Sequence, residues 1–210
     1  MDVRNGRFSA LRGGDTVEPA VSPVGLRQAA REWAVIFAVV LAFCLPFLDL
    51  GSGRPLTGNE AEIVQSLDWT LVNSLREHGT FPLWNPYLQA GLPFVADPFL
   101  HAYNPLATVP VLLLGVEDGF KVALFLSFLA AAYGAWLLGL ALGLRPISRV
   151  WLALMYAFTG QAVARFFQGE YDFVLGFAWI PWALAASLAA VRSGRLRWAV
   201  LAAVSLVVFC

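Results

Sequence analysis

Long apolar stretches, separated by short polar ones, follow one another along most of the chain after residue 32. A helix needs about 20 mainly apolar residues to cross a bilayer, within a range of about 17–25. The stretches predict spans at residues 33–50, 119–144, 150–167 and 173–191, and the start of another at residues 198–210. We therefore expect an all-α integral membrane protein in which residues 33–210 form one transmembrane domain. The incomplete last span favours the N-terminal part of a longer protein.

Residues 51–118, between the first two predicted spans, contain two shorter patterns. From Glu60 to His78, apolar residues recur at steps of three and four, at Val64, Leu67, Leu71 and Leu75. This spacing predicts an amphipathic helix that lies on the membrane or on neighbouring helices and ends at Gly79. Residues 105–116 are apolar but only twelve long, which is too short to cross a membrane. We expect residues 51–118 to form one long loop that carries membrane-parallel helices.

Basic residues indicate the orientation of the chain. If residues 105–116 do not cross, ten of the fourteen Lys and Arg residues lie on the same side as the N-terminus. They are Arg4, Arg7, Arg12, Arg27, Arg31, Arg145, Arg149, Arg192, Arg195 and Arg197. Cytoplasmic loops carry the excess of basic residues, so we predict that residues 1–32 are a disordered cytoplasmic tail. The long loop is then extracytoplasmic.

Composition agrees with the membrane class and excludes several others. Hydrophobic residues make up 59% of the chain and charged residues 13%, whereas soluble domains carry about 25% charge. The net charge is zero, which gives no indication of a nucleic-acid partner. Cys44 and Cys210 lie in apolar stretches without metal-ligand spacing, and phosphate-loop, zinc-protease and serine-hydrolase motifs do not occur.

Two pairs of acidic residues fall on the predicted outer side. Glu60 and Glu62 follow the first span, and Glu170 and Asp172 lie in the short turn between the third and fourth. A carboxylate there is a candidate general base toward a hydroxyl group, and carboxylates from both segments can face one cavity. Two alternatives stay open. Glu60 and Glu62 fit capping boxes with Thr57 and Asn59, and the later pair fits a solvated turn.

Basic and aromatic residues on the same side are candidates for binding a substrate. Arg165 and His101 lie near the acids and suit a phosphate, although Arg165 also fits a side chain that reaches toward the membrane surface. His101 also fits a residue that is hydrogen-bonded within its loop, or one that is protonated near pH 6–7. Trp84, Asn85, Tyr87 and Tyr103 stand in the proline-rich part of the loop, where rings at the lipid headgroup level are the alternative.

The proline-rich part of the loop also resembles a known family. Phe81-Pro-Leu-Trp-Asn-Pro-Tyr87, Gly91-Leu-Pro93, Asp97-Pro98 and Tyr103-Asn-Pro105 together resemble the signature of bacterial YfhO-like membrane proteins, which are similar to GT-C glycosyltransferases. Tyr156-Ala-Phe-Thr-Gly160 and Ala178-Trp-Ile-Pro-Trp182 resemble later segments of the same family. The resemblance covers about residues 60–191.

The resemblance implies a GT-C-like transmembrane helix bundle in the bacterial cytoplasmic membrane, with the long outer loop over a cavity. Such enzymes transfer a sugar from a polyprenyl-phosphate donor to a glycan, lipid or protein acceptor, and the need for a divalent metal is left open. The family's first catalytic acid, usually Asp, corresponds to Glu60 or Glu62 here, and its second to Glu170 or Asp172. A non-catalytic lipid-binding or scaffold protein is the alternative, and a transporter is a third hypothesis.

Overall fold

The computed structural model describes residues 25–58, 60–88, 90–97 and 99–209, and these form nine α-helices and a small hairpin. The helices are α1 Leu26–Cys44, α2 Ala61–His78, α3 Pro105–Leu114, α4 Val116–Ala141, α5 Pro146–Ala157, α6 Gly160–Gln168, α7 Tyr171–Phe177, α8 Ile180–Ser193 and α9 Leu196–Phe209. The two strands of the hairpin are β1 Trp84–Asn85 and β2 Leu92–Pro93, which pair antiparallel.

Four segments are long and apolar enough to cross a membrane, which confirms the all-α membrane class. They are Leu26–Phe47, Val116–Ala141, Pro146–Gln168 and Tyr171–Ser193. Helix α3 has only 10 residues, and at 1.5 Å per residue it covers about half of the hydrocarbon core. The amphipathic helix predicted from Glu60 to His78 is α2.

Helix α4 is the centre of the bundle, because α1, α3, α5, α7 and α8 all pack against it. Small residues allow close approach, as is common between membrane helices. A Cβ atom on Gly134 would lie 2.6 Å from the indole ring of Trp182. The same indole donates a hydrogen bond of 2.8 Å to the carbonyl of Ala130, which fixes α8 against α4.

Helix α1 begins at Leu26, seven residues before the predicted boundary at Trp33. Glu32, which we assigned to the tail, is buried and belongs to this helix. Arg149 binds both of its carboxylate oxygens at 2.6 and 3.0 Å, and the indole of Trp136 donates a third bond of 2.6 Å. A buried charge with this many partners is tolerated, so the helix continues through Glu32. The remainder of the predicted tail, residues 1–24, lies outside the described residues.

Two of the spanning segments are broken helices rather than the continuous spans we predicted. Helices α5 and α6 are separated at residues 158–159, and α7 and α8 at residues 178–179. Pro181 explains the second break, because proline has no N–H to donate to the carbonyl of Phe177. The hydroxyl of Tyr156 donates to that carbonyl instead, at 2.9 Å.

Polar contacts show which segments lie at each end of the bundle. At one end, the backbone N–H of Gly51 donates to Asp118, and the buried ammonium of Lys121 lies 2.7 Å from Asp49. Glu32 and Arg149 lie at the opposite end. Since the end of α1 meets the beginning of α4, α3 does not cross between them. The loop over residues 51–115 therefore begins and ends at the same end of the bundle.

Candidate functional site

Close backbone packing places Glu60 beside the turn between α6 and α7. A Cβ atom on Gly58 would overlap the Cα atom of Gly169 and lie 3.0 Å from the carbonyl oxygen of Gln168. The hydroxyl of Tyr171 also donates to the carbonyl of Thr57, at 3.2 Å. These contacts join two segments that are more than a hundred residues apart, at the position where α2 begins.

Glu60 and Asp172 form a carboxyl pair at this position. Burial raises the pKa of Glu60, and the Asp172 carboxyl, within hydrogen-bonding reach, raises it further. The charge of Glu170 acts in the same direction, while the charge of Arg165 lowers the Glu60 pKa. A raised pKa brings the Glu60 carboxylate nearer to the working range of a general base.

The capping alternative does not describe the side chain of Glu60. Glu60 is the residue that precedes α2, but its carboxyl accepts no capping hydrogen bond from the described residues. The second box requires Asn59, which lies outside them. Glu62 is exposed in the first turn of α2 and is not brought to the pair. Of the two acids predicted after the first span, only Glu60 therefore lies near the turn between α6 and α7.

Glu170 and Arg165 form an ion pair on the other side of the turn. The guanidinium also lies over the ring of Phe173, 5.0 Å from the ring centre. About two fifths of the Arg165 side chain is exposed, at 42%. Because a guanidinium has five N–H donors and Glu170 accepts from one nitrogen, further donors remain for an anion.

His101 lies close enough to Asp172 for the carboxylate to act on its pKa, and both line one cavity. Burial lowers the pKa of His101 to about 4, against a smaller opposing effect of the Asp172 charge. Of the two alternatives for His101, protonation near pH 6–7 is therefore disfavoured, because an imidazolium is poorly solvated there. The hydrogen bonds within the loop are made by the His101 carbonyl, which accepts from the backbone N–H of Asn104 at 2.8 Å and from Thr108 Oγ1 at 3.0 Å.

Asn104 supports this part of the site, and our reading of the sequence missed it. Its side-chain oxygen accepts from the N–H of Leu106 at 3.1 Å, which caps α3, and from the indole of Trp179 at 3.3 Å. Its amide donates to the carbonyl of Leu175 at 3.2 Å, beside the break between α7 and α8. The signal was available, because Asn before Pro105 is a typical start of a helix.

The structure separates the aromatic candidates from one another. Tyr103 lines the cavity with His101 and is 61% exposed. Trp84, Asn85 and Tyr87 belong to the hairpin region, where Asn85 is buried and accepts from the N–H of Tyr87 at 3.0 Å. Trp84 and Tyr87 line a separate cavity of about 150 Å³ with His78. These three residues therefore brace the loop and do not meet the acids.

Within the described part of the chain, no group of three or more His, Cys, Asp or Glu side chains is arranged to hold a metal ion. The arrangement is thus a carboxyl pair with a nearby guanidinium and a neutral imidazole, at the end of the bundle that carries the long loop. Comparisons with protein-family models, with curated proteins and with solved structures find no match to this chain.

Proposed function

We propose that the protein is a membrane glycosyltransferase that transfers a sugar from a polyprenyl-phosphate donor to a hydroxyl acceptor on the extracytoplasmic face. The observation that carries the proposal is the close packing of Gly58 on Gly169, with the Tyr171–Thr57 hydrogen bond, which brings Glu60 near Asp172. The resemblance of residues 81–105 to YfhO-like proteins of the GT-C type supports the same reaction. The protein is then an inverting enzyme, because one carboxylate acts as a base on the acceptor rather than as a nucleophile on the sugar.

Each residue has a stated part in the proposed reaction. The Glu60 carboxylate takes the proton of the acceptor hydroxyl as its oxygen attacks the anomeric carbon. The bond from that carbon to the phosphate oxygen breaks, and polyprenyl phosphate leaves with the bonding electrons. The free N–H donors of Arg165 suit the charge that develops on the phosphate. Asp172 raises the pKa of Glu60 and orients the pair.

The test compares two acids at the start of α2. Glu60→Gln keeps the size of the side chain but removes the base, so we expect transfer from polyprenyl-phosphate sugars to fall by about 10²–10⁴-fold. Membranes that contain the variant chain, supplied in turn with labelled glucosyl and N-acetylglucosaminyl donors, report both sugar transfer and release of polyprenyl phosphate. Glu62→Gln is the matched control, because Glu62 is exposed two residues away. Undiminished transfer by Glu60→Gln contradicts the proposal.

The pH dependence of kcat/KM provides a second test of the same site. Glu60 is active when ionised, so kcat/KM rises with pH through its raised pKa. Asp172→Asn removes a carboxyl that raises this pKa, and the acidic limb should move to lower pH. Arg165→Gln removes a charge that lowers the same pKa, and the limb should move to higher pH. A limb that moves in neither variant identifies a different base.

A lipid-binding protein without catalytic activity is the second candidate, and one observation favours it. Helices α4, α8 and α9 enclose an apolar cavity of about 440 Å³, lined by residues such as Leu140, Trp182 and Leu201. Lipid bound by a chain that releases no polyprenyl phosphate in the assay would favour this candidate.

A transporter is favoured by the two broken spans, since transported ions often bind at such breaks. At the second break, however, the carbonyls of Leu175 and Phe177 already accept hydrogen bonds from Asn104 and Tyr156. Protein side chains thus already donate hydrogen bonds to backbone carbonyls beside this break, which leaves these carbonyls less available to an ion.

A further inference from the structure

A cavity of about 410 Å³ opens beside Asp172, between the loop, the broken span α7–α8 and the last helix. Asp97 and His101 line it from the loop, Asp172 and Phe177 from the broken span, and Val207 from α9. Its volume lies within the range of small-molecule sites, about 300–1,000 Å³. Asp172 thus belongs both to the carboxyl pair and to the wall of this cavity.

Two polar atoms in the cavity wall are buried without a partner. Oδ1 of Asp172 and Nε2 of His101 form no hydrogen bond with the described residues. A buried polar atom without a partner carries a free-energy cost, which a ligand hydroxyl that inserts between the two residues offsets. A carboxylate only accepts, while a neutral imidazole either accepts or donates through Nε2. A ligand hydroxyl, which both donates and accepts, matches this pair.

The acidic residues that line the cavity disfavour an anionic ligand. Asp97 and Asp172 contribute two carboxylates, and among the described residues that line the cavity there is no Lys or Arg. His101 does not offset them, because burial lowers its pKa to about 4 and leaves it neutral at physiological pH. A phosphate would meet two carboxylates in the lining, while the guanidinium of Arg165 lies behind the ring of Phe173.

The other wall of the cavity is apolar. Phe173, Phe177 and Ile180 line it from the broken span, and Val207 and Val208 from α9. This wall belongs to the apolar segment Tyr171–Ser193 and to the shorter apolar helix α9. A ligand that fits both walls therefore has hydroxyl groups at one end and a hydrocarbon chain at the other.

We propose that this cavity binds the neutral, polyhydroxylated headgroup of a lipid, such as the glycerol group of a monoacylglycerol. Asp172 and His101 hold its hydroxyl groups, and the apolar wall holds the first part of its chain. The cavity and its lining support this binding site independently of the proposed function. Its identification as the site of the glycosyl acceptor rests on the proposed function, and it implies that the acceptor is a neutral lipid rather than a protein.

The test uses the two histidines of the chain as reporters. The full chain, labelled with ¹⁵N-histidine, is placed in phosphatidylcholine nanodiscs and titrated with monooleoylglycerol. We expect the ring nitrogen signals of His101 to shift and to saturate. His78, exposed in the last turn of α2, should not move. Methyl oleate has no hydroxyl, oleoyl lysophosphatidate carries an anionic phosphate, and glycerol has no chain, so none of them should match the effect.

Three variants separate this site from the proposed reaction. Asp172→Asn removes a charged acceptor, and we expect monooleoylglycerol to bind about tenfold more weakly. Glu60→Gln should abolish transfer, and Glu62→Gln, which is exposed and lies outside the cavity lining, should leave binding intact. An unmoved His101 signal, or an equal response to methyl oleate or to lysophosphatidate, overturns the site. Binding without transfer in the unaltered chain overturns the reaction and leaves the site standing.

Discussion

Asp68 shows how a single buried acid sets a pH limit on this fold. It stands on the buried face of α2, one turn from Val64 and one turn from Val72, and is 4% exposed. Its Oδ2 atom accepts no hydrogen bond within the described part of the chain. Burial raises the pKa of Asp68 from 3.8 to about 7. The carboxyl is therefore about half protonated in the folded protein at pH 7, whereas an unperturbed Asp is almost fully ionised.

Linkage gives the direction of the stability change. The pKa of Asp68 is higher in the folded than in the unfolded chain. Its contribution to the free energy of unfolding is therefore fully present below about pH 4 and is lost as the pH rises through about 7. Asp68→Asn removes this loss. For each chain, the free energy of unfolding at pH 4 is subtracted from that at pH 8. We expect this difference to be up to about 4 kcal/mol more favourable in the variant than in the unaltered chain. Thermal unfolding in detergent at the two pH values measures it.

Glu62→Gln, an exposed change on the same helix, controls for general charge effects and should show a much smaller difference. An Asp68→Asn variant whose stability changes with pH as in the unaltered chain would show that Asp68 is ionised in the fold.

Residues differ in how far the sequence predicts their roles. The proximity of Glu60 and Asp172 was predictable, because counting charges places both acids at one end of the bundle. The neutral state of His101 was not, since it depends on burial by segments distant in the chain. The burial of Glu32 likewise depends on Arg149, 117 residues later. Only the steps of four from Glu32 to Ile36, Val40 and Cys44 indicated a buried face.

The elements that position the site meet through two glycines. Gly58, in the segment before α2, lies directly on Gly169, which ends α6 in a left-handed conformation with φ of 83°. Gly58→Ala places a methyl group against the backbone of the turn, which is rigid. We expect the two segments to move apart and Glu60 to leave Asp172, at a cost of about 1–3 kcal/mol. Hydrogen exchange should accelerate in residues 51–58 and 168–172.

Gly160→Ala is the matched control for this change. A Cβ atom there meets open space, and the residue begins α6 without a positive φ. Alanine should leave exchange in both segments unchanged and favour the helix by about 0.5–1 kcal/mol. Equal exchange in Gly58→Ala and Gly160→Ala would mean that the glycine contact does not hold the site together.

Hydropathy predicts that the spans exist but does not predict their breaks. An average over about 18 residues has the same value whether a helix is continuous or interrupted at residues 158–159. Pro181 was a visible warning for the second break. The first break carries Thr159, whose side chain accepts from the N–H of Ala162 at 3.3 Å and starts a new helix. A Thr in an apolar stretch is too common to predict such a cap.

At the scale of the whole molecule, charge and contacts agree on which segments share an end. Asp49, Asp118 and Lys121 meet at the end that carries the long loop. Arg192 donates to the carbonyl of Ala141 at the opposite end. Counting basic residues predicts this division. Most of them share one side only if the segment between the first two spans makes no net crossing of the membrane. The structure fixes which segments lie together, and the charge rule supplies the side of the membrane on which each end lies.

The predicted orientation can be tested by labelling one exposed residue at each end. Thr80, after α2, and Ser193, at the end of α8, are both exposed. We expect an impermeant maleimide to label Thr80→Cys in intact bacterial cells, and Ser193→Cys only after the membrane is opened. Cys210→Ser serves as the background, and Cys44 stays unlabelled because it is buried. Labelling of Ser193→Cys in intact cells would invert the topology and place Glu60 and Asp172 in the cytoplasm, away from an extracytoplasmic acceptor.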